Sequence, residues 1–230
     1  MERVLVTGAC SFTGRHLLPL LAGRAVVASD VAGAGPPDAE YRPADLTDRA
    51  RARELVEAAR PDLVFHLAGA GTPDADRCYA VNLGGTRNLL EACAARTTPP
   101  RVLVVSSAAV YGLTRPGESP VREETPLRPT TAYGASKAAA ELLALALHRR
   151  GLVRVAVARP FNLVGPGLRA GFAPSDFMAQ ALAIRAGGPP EIRVGNLEPR
   201  RDFVDARDAV RAYVALASAE QVEAIMVDVL

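Results

Sequence analysis

Tyr133 and Lys137 stand four residues apart in Tyr133-Gly134-Ala135-Ser136-Lys137, at the head of an alanine- and leucine-rich run, Ala138 to Leu147. That run has the composition of a helix, and residues i and i+4 of a helix lie one above the other on one face. The lysine ammonium would then sit below the phenol and favour its ionised form. A tyrosine brought down from about 10 toward neutrality can act as a general acid or base. The spacing alone carries little, because an interfacial tyrosine above a surface lysine is common. Its meaning depends on what the rest of the chain brings beside it.

Arg3-Val4-Leu5-Val6 has the continuous apolar character of a buried strand and runs into Thr7-Gly8-Ala9-Cys10-Ser11-Phe12-Thr13-Gly14 and a helical pattern from His16 to Leu21. Strand, glycine turn and helix are the setting in which a glycine motif means dinucleotide binding, the pyrophosphate lying on the helix N-terminus. Gly8 and Gly14 occupy the outer positions of the frame, and the middle position of the usual G-x-x-G-x-x-G is Ser11. A second strand, Ala25 to Asp30, ends in a carboxylate. An acid there accepts hydrogen bonds from the adenosine ribose and repels a 2′-phosphate. No arginine or lysine follows until Arg42, so the pattern points to NAD(H) rather than NADP(H).

The elements that must position these residues alternate for 160 residues. A short strand at Glu40–Arg42 precedes Asp45-Leu46, and Thr47 or Asp48 can cap a helix from Arg49 to Arg60 that stops before Pro61. Leu63–Leu67 is a further buried strand, closed by the small residues Ala68-Gly69-Ala70-Gly71, and His66 within it reads as a core histidine rather than a catalyst. A long helix over Tyr79–Arg96 carries Asn82; the strand Val102–Val105 enters Ser106-Ser107-Ala108-Ala109-Val110-Tyr111-Gly112; loop follows from Leu113 to Pro129. After the Tyr133 helix, Val153–Ala158 is a sixth strand that leaves through Arg159-Pro160-Phe161-Asn162. This order predicts an α/β fold of the Rossmann kind, a doubly wound parallel sheet with helices on both faces. Gly8, Asp30, Gly69, Ser107 and Asn162 all fall at strand carboxyl ends, where such sheets bind ligands.

Composition limits the rest. With 230 residues the chain can bury one sizeable core, and a net charge of +2 leaves no nucleic-acid footprint. Its 27 basic residues include one lysine, Lys137. The three cysteines, Cys10, Cys78 and Cys93, sit at no metal spacing, so no metal and no disulfide framework is expected. No apolar run reaches the roughly 18 residues of a membrane span, and the chain opens directly on a strand without a basic leader, which reads as a cytoplasmic protein with no membrane partner. The Tyr133 helix is apolar nearly all round, so one face should pack on the sheet and the other on something else.

These motifs together resemble the extended short-chain dehydrogenase/reductase family, whose members mostly act on nucleotide-activated sugars. The resemblance runs from Val4 to about Leu216 and rests on T-G-A-C-S-F-T-G, Asp45-Leu46, His66-Leu67-Ala68-Gly69, the run Asn82 to Ala92, S-S-A-A-V-Y-G and Y-G-A-S-K. It implies that Tyr133 is the acid/base, that Ser107 hydrogen-bonds the reacting sugar oxygen, and that Lys137 holds the nicotinamide ribose and lowers the tyrosine pKa. It implies cofactor contacts at Gly8, Ser11, Phe12, Thr13 and Gly14, at Asp30, Asp45 and Leu46 on the adenosine side, and at Leu67, Ala68, Gly69, Asn82 and Pro160.

The second half, Phe177 through Tyr213, is similar to the GDP-mannose 4,6-dehydratase and GDP-4-keto-6-deoxymannose reductase branch. By that likeness Arg201 would face the nucleotide phosphates, a guanidinium offering a diphosphate a bidentate fork. Arg159-Pro160-Phe161-Asn162 before Gly165-Pro166-Gly167 resembles the family segment whose asparagine, here Asn162, touches the substrate diphosphate. A surface ion pair of Arg201 with Asp202 or Asp205 is the plainer alternative. Dehydratases carry an acid beside the active-site Ser/Thr, and here those positions are Ala108 and Ala109. The resemblance therefore implies an NAD(H)-dependent reductase of a nucleotide-linked 4-keto-6-deoxy sugar, a GDP-sugar being favoured. A 4-epimerase with retained NAD is the enzymatic alternative, and an NAD-binding protein with little catalysis the non-enzymatic one. Residues 1–160 are expected to form the cofactor domain, and 161–230 a small substrate-binding region, apparently truncated, interleaved with the sheet. The family pattern implies a homodimer through the Tyr133 helix and the Asn82 helix.

Overall fold

A computed structural model describes the chain apart from residues 32, 34, 116, 220–224 and 228–230, and for Ile225–Val227 describes the backbone only. Seven parallel strands form the main sheet: β1 (Arg3–Thr7), β2 (Ala25–Ser29), β3 (Glu40–Tyr41), β4 (Leu63–His66), β5 (Arg101–Val105), β6 (Arg154–Pro160) and, at the far edge, a strand over Ile225–Val227. Their spatial order is β3-β2-β1-β4-β5-β6 and then the 225–227 strand, the Rossmann order with a seventh strand added. The order reverses between β1 and β4, and the cleft at this switch point is where dinucleotides bind.

The chain builds this sheet because its central strands are apolar on both sides. Val4, Leu5 and Val6 are all buried, Leu5 facing one helical layer and its neighbours the other. Helices α1 (Phe12–Leu17) and α7 (Ala206–Ser218) cover one face; α2 (Arg49–Ala59), α4 (Thr86–Ala94) and α5 (Ala132–Arg149) cover the other. Asp48 caps α2, accepting from the Ala50 and Arg51 amides at 2.8 and 3.3 Å, and Arg60 ends it in the left-handed region before Pro61.

The long helix expected from Tyr79 begins earlier, as the short helix α3 (Ala75–Cys78), and passes through a π-helical turn, Tyr79–Gly85, before α4. Asp74 caps α3 by accepting from the Arg77 amide at 3.1 Å, which explains the earlier start. The π turn holds Asn82.

Beyond β6 the chain leaves the sheet. Strand β7 (Asn162–Val164) pairs with β8 (Phe203–Asp205) in a separate two-stranded sheet, and α6 (Ala173–Arg185) lies between them in sequence with no buried residue. Then α7 returns to the main core through Val210, Tyr213 and Leu216.

Candidate active site

The glycine turn follows β1 and is shaped by backbone contact. Gly8 has φ +72°, and a Cβ there would lie 2.6 Å from the Ala68 amide nitrogen, so the ends of β1 and β4 meet across it. Ser11 takes the middle position with φ −67° and ψ 168°, ordinary extended values that require no glycine. Its hydroxyl accepts from the Gly14 amide at 3.0 Å and so caps α1. A cleft opens beside the turn, lined by Gly8, Asp30, Val31, Asp45, Leu46 and Ala68 among others. Both oxygens of Asp30 are held, one by the Cys10 amide at 3.0 Å and the other by its neighbour Val31 at 2.8 Å. Asp45 is fixed by the amide and hydroxyl of Thr47, and Asn88 on α4 donates to the Leu46 and Thr47 carbonyls at 2.9 and 3.1 Å. Small residues at two strand ends with a fixed carboxylate between them fit the adenosine half of a dinucleotide. Arg42, the first cation after β2, is engaged by Glu40 at 2.6 Å.

Further along the strand ends, α5 delivers Tyr133 in its first turn. Thr131 caps the helix by accepting from the Gly134 amide at 3.0 Å. Gly134 lets that turn approach closely, since a Cβ there would lie 2.6 Å from the Ala109 carbonyl oxygen. Ser107 caps the short 3₁₀ turn Ala108–Val110, its oxygen accepting from the Ala109 amide at 3.1 Å. That contact leaves the Ser107 proton free, and it is shared with Tyr133 in a side-chain hydrogen bond. Burial raises the Tyr133 phenol above its ordinary value; the Ser107 hydrogen bond works downward and the Cys78 thiol upward.

The expected lowering of this phenol by Lys137 is absent. Lys137 does lie on the same helix face, but its Nζ donates to the Val105 carbonyl at 2.6 Å, and burial pulls the ammonium down to about 8. Its charge is directed at the end of β5 rather than at the phenol.

Asn82 ties these parts together. Its amide accepts from the Ala70 nitrogen at 2.8 Å and donates to the Ala70 carbonyl at 3.0 Å and to Ser136 at 2.9 Å. Ser136 in turn donates to the Tyr133 carbonyl at 2.8 Å. Behind Asn82 stands His66, fully buried, with Thr86 Oγ1 2.9 Å from Nε2 and Thr7 Oγ1 2.7 Å from Nδ1. Thr86 directs its one proton to the Asn82 carbonyl at 2.5 Å, so it must accept from Nε2–H, and Nδ1 accepts from Thr7. Burial pushes this imidazole down to about 3, and it stays neutral. A relay thus runs from Thr7 through His66 and Thr86 to the Asn82 backbone carbonyl, and the Asn82 side chain carries it on to Ser136. A substituent at Gly69 would lie 3.1 Å from Asn82 Oδ1 and 3.3 Å from Lys137 Nζ, which brings the β4 end into the same group.

On the far side, Pro160 is buried at the end of β6, and Asn162 donates its side-chain amide to the Asp202 carbonyl at 2.7 Å. The ion pair of Arg201 with Asp202 or Asp205 does not form: Arg201 donates to the Arg200 carbonyl at 2.8 Å, and Asp205 is taken by Arg207 at 2.6 and 2.9 Å. Sharing a helix N-terminus with Asp205 gives Arg207 the better geometry. Arg201 is exposed.

The profile of the NAD dependent epimerase/dehydratase family matches residues 4–227. The chain belongs to that family. Among its relatives is GDP-6-deoxy-D-mannose reductase of Pseudomonas aeruginosa, 34% identical over 94% of this chain and 71% of the relative. Among solved structures, RMD from Pseudomonas aeruginosa in complex with NADPH superposes with a TM-score of 0.83 at 33% identity, covering 99% of this chain and 78% of the other. The UDP-glucose 4-epimerase of Thermus thermophilus, solved with NAD, gives 0.85 at 27% identity, with 99% and 78% covered. Family members thus include NAD- and NADPH-bound proteins, and the fold and chemistry of this chain are those of an NAD(P)-dependent enzyme.

Within this epimerase/dehydratase frame, three polar residues escaped the sequence reading. Glu141, Arg159 and Tyr111 form a buried cluster behind Lys137. A signal existed for one of them: Glu141 is a lone acid inside the apolar stretch Ala138–Leu147, at the same i+4 spacing from Lys137 that links Lys137 to Tyr133.

Proposed function

We propose that the protein is an NAD(H)-dependent reductase of a nucleotide-linked 4-keto-6-deoxy sugar, with a GDP-sugar favoured. The observation that carries this reading is the Ser107–Tyr133 hydrogen bond beside a turn whose next two side chains are methyl groups, Ala108 and Ala109. Elimination of water needs a carboxyl group to remove and return a proton, and neither position offers one. Reduction of a carbonyl needs only a proton donor at the oxygen and a hydride. Tyr133 gives its proton to the oxygen, and Ser107 polarises that oxygen. Lys137 holds the nicotinamide ribose, and the bound nicotinamide supplies the hydride. The phenol, raised by burial, is protonated at neutral pH and is thereby ready as an acid.

Gly8, Ser11, Phe12, Thr13 and Gly14 would cradle the pyrophosphate, Asp30, Asp45 and Leu46 the adenosine, and Leu67, Ala68, Gly69, Asn82 and Pro160 the remainder. Asn162 and Arg201 would meet the substrate diphosphate. In this reading residues 1–160 carry cofactor and catalysis, and 161–230 contribute the substrate side.

NADH is the preferred cofactor, because the fixed Asp30 carboxylate would repel a 2′-phosphate and Glu40 occupies Arg42. Titration with NADH, NADPH and a panel of GDP- and UDP-4-keto-6-deoxy sugars tests the whole assignment. The expected result is NADH consumption equal to sugar reduced, with NADH binding tighter than NADPH. Tighter NADPH binding would overturn the cofactor assignment. NAD retained through purification, with no NADH consumed, would replace reductase by 4-epimerase, a reading supported by the same three side chains and by likeness to the Thermus enzyme.

The outer face of the α5 layer supports a homodimer through α5 and the Asn82 helix. Leu142 on α5 is 57% exposed and Tyr79 on the π turn 42%. Sedimentation equilibrium should give twice the chain mass for the wild type and the chain mass for Leu142→Glu; a wild-type monomer at micromolar concentration would refute the pairing.

A further inference from the structure

Glu141 lies one helical turn below Lys137 on α5 and is completely buried. A buried carboxylate requires partners, and a single guanidinium supplies them. Arg159 on β6 donates Nε to both carboxylate oxygens at 3.0 and 3.1 Å, and Nη2 to Oε1. Its Nη1 donates to the Tyr111 hydroxyl at 2.7 Å and to the Glu123 carbonyl at 2.8 Å. The guanidinium carbon also stands 5.2 Å from the centre of the Tyr111 ring. Four segments that frame the candidate site therefore meet at one ion pair: α5, the turn after Ser107, the loop at Glu123, and β6 just before Pro160.

We propose that Glu141 and Arg159 are positioning residues of the site, Glu141 holding the Lys137 ammonium charged inside the protein and Arg159 balancing Glu141 while pinning the Ser107 turn to α5. The proposal rests on the reading of Lys137 as part of the active site.

A tie between segments alone does not call for charge. Replacing a buried ion pair with apolar residues of similar volume is often neutral or stabilising. What apolar residues cannot provide is a negative charge one turn from a buried ammonium. Lys137 is 8% exposed; burial drives its ammonium toward neutrality, and Glu141 opposes this. His66 from β4 interacts electrostatically with Lys137, Tyr133 shares its helix, and the elements packed on α5 bring Arg159 from β6, Tyr111 from the Ser107 turn and Cys78 from α3. Burial keeps both phenols protonated and His66 neutral. The Cys78 thiol donates to the Ala70 and Thr72 carbonyls. Among the described residues, Glu141 is thus the anion that acts on Lys137. Its own balance comes from Arg159.

Lys137 is the only lysine in the sequence. Protein labelled with carbon-13 at the lysine ε position gives one such signal, and its shift against pH reads this ammonium alone without cofactor or substrate. Glu141→Gln should lower the midpoint by about one pH unit or more. Arg159→Gln, which leaves the anion unbalanced, should raise it. The double variant E141Q/R159Q removes both charges, avoids a lone buried ion, and should titrate below the wild type. Opposite shifts in the two single variants are a signature that a merely structural tie would not produce. An unmoved midpoint in folded E141Q or in the double variant would overturn the proposal. Full turnover in Lys137→Met would instead strike at the catalytic reading of Lys137, and the titration separates the two failures.

Discussion

Tyr133→Phe should lower turnover by roughly a thousandfold or more, within the range a positioned proton donor supplies, while NADH affinity stays within about threefold of wild type. The substitution removes one hydroxyl and keeps the ring, whose edge faces Gly71. Ser107 retains its hydrogen bond from the Ala109 amide, and the Thr131 cap, the Ser136 contact and Lys137 are untouched. The loss should therefore fall on the chemical step and leave binding of the nucleotide intact. Initial rates together with calorimetric NADH titration check this. Turnover within tenfold of wild type would remove Tyr133 as the proton donor.

Gly8→Ala should weaken cofactor binding severely and destabilise the fold. Two costs combine there. A left-handed backbone disfavours any Cβ by about 1–2 kcal/mol, and this Cβ would lie 2.6–2.8 Å from backbone atoms of Leu67 and Ala68, with no flexible side chain to yield. Either β1 or β4 must shift at the switch point, and the cleft beside Asp30 is lined by both ends. A loss of about 3 kcal/mol or more in stability is expected, with NADH affinity down at least about a hundredfold. Gly151→Ala is the control: Gly151 has φ +69° but nothing within 4 Å of its Cβ position. It should show the backbone cost alone and bind NADH normally. Equal effects of the two substitutions in urea denaturation would show that the β1–β4 approach does not matter.

Much of this was legible in the sequence, because continuous apolar strands, glycine turns and capping residues are local signals. The strands through β6, the glycine turn and a cap for α2 at Thr47 or Asp48 could be read from adjacent residues; the Ser11 cap of α1 could not. The doubly wound order followed from strict alternation of strand and helix. What could not be read was contact between distant polar side chains. Glu141 and Arg159 are 18 residues apart and Tyr111 and Arg159 are 48 apart, so no spacing rule joins them. The effect of Lys137 on Tyr133 was misjudged for a related reason: i+4 spacing puts two side chains on one face but does not say which acceptor the longer one reaches. Here that acceptor is the Val105 carbonyl, at the end of a strand 32 residues away. The start at Ala75 and the π turn were hidden because the helical pattern reads continuously across them.

The relay from Thr7 to Ser136 also bears on how the protein folds. Its members come from β1, β4, the π turn, α4 and α5, and they are separated by 59, 20, 4 and 54 residues at successive links. All but the four-residue step close long loops, the entropically slow part of assembly. A nascent α5 could be helical on its own with Tyr133 and Lys137 in register, yet a fragment lacking β1 has no Thr7 to anchor the far end. The geometry around Tyr133 is therefore a property of the completed sheet, available only once the neighbourhoods of Thr7 and Ser136 belong to one structure.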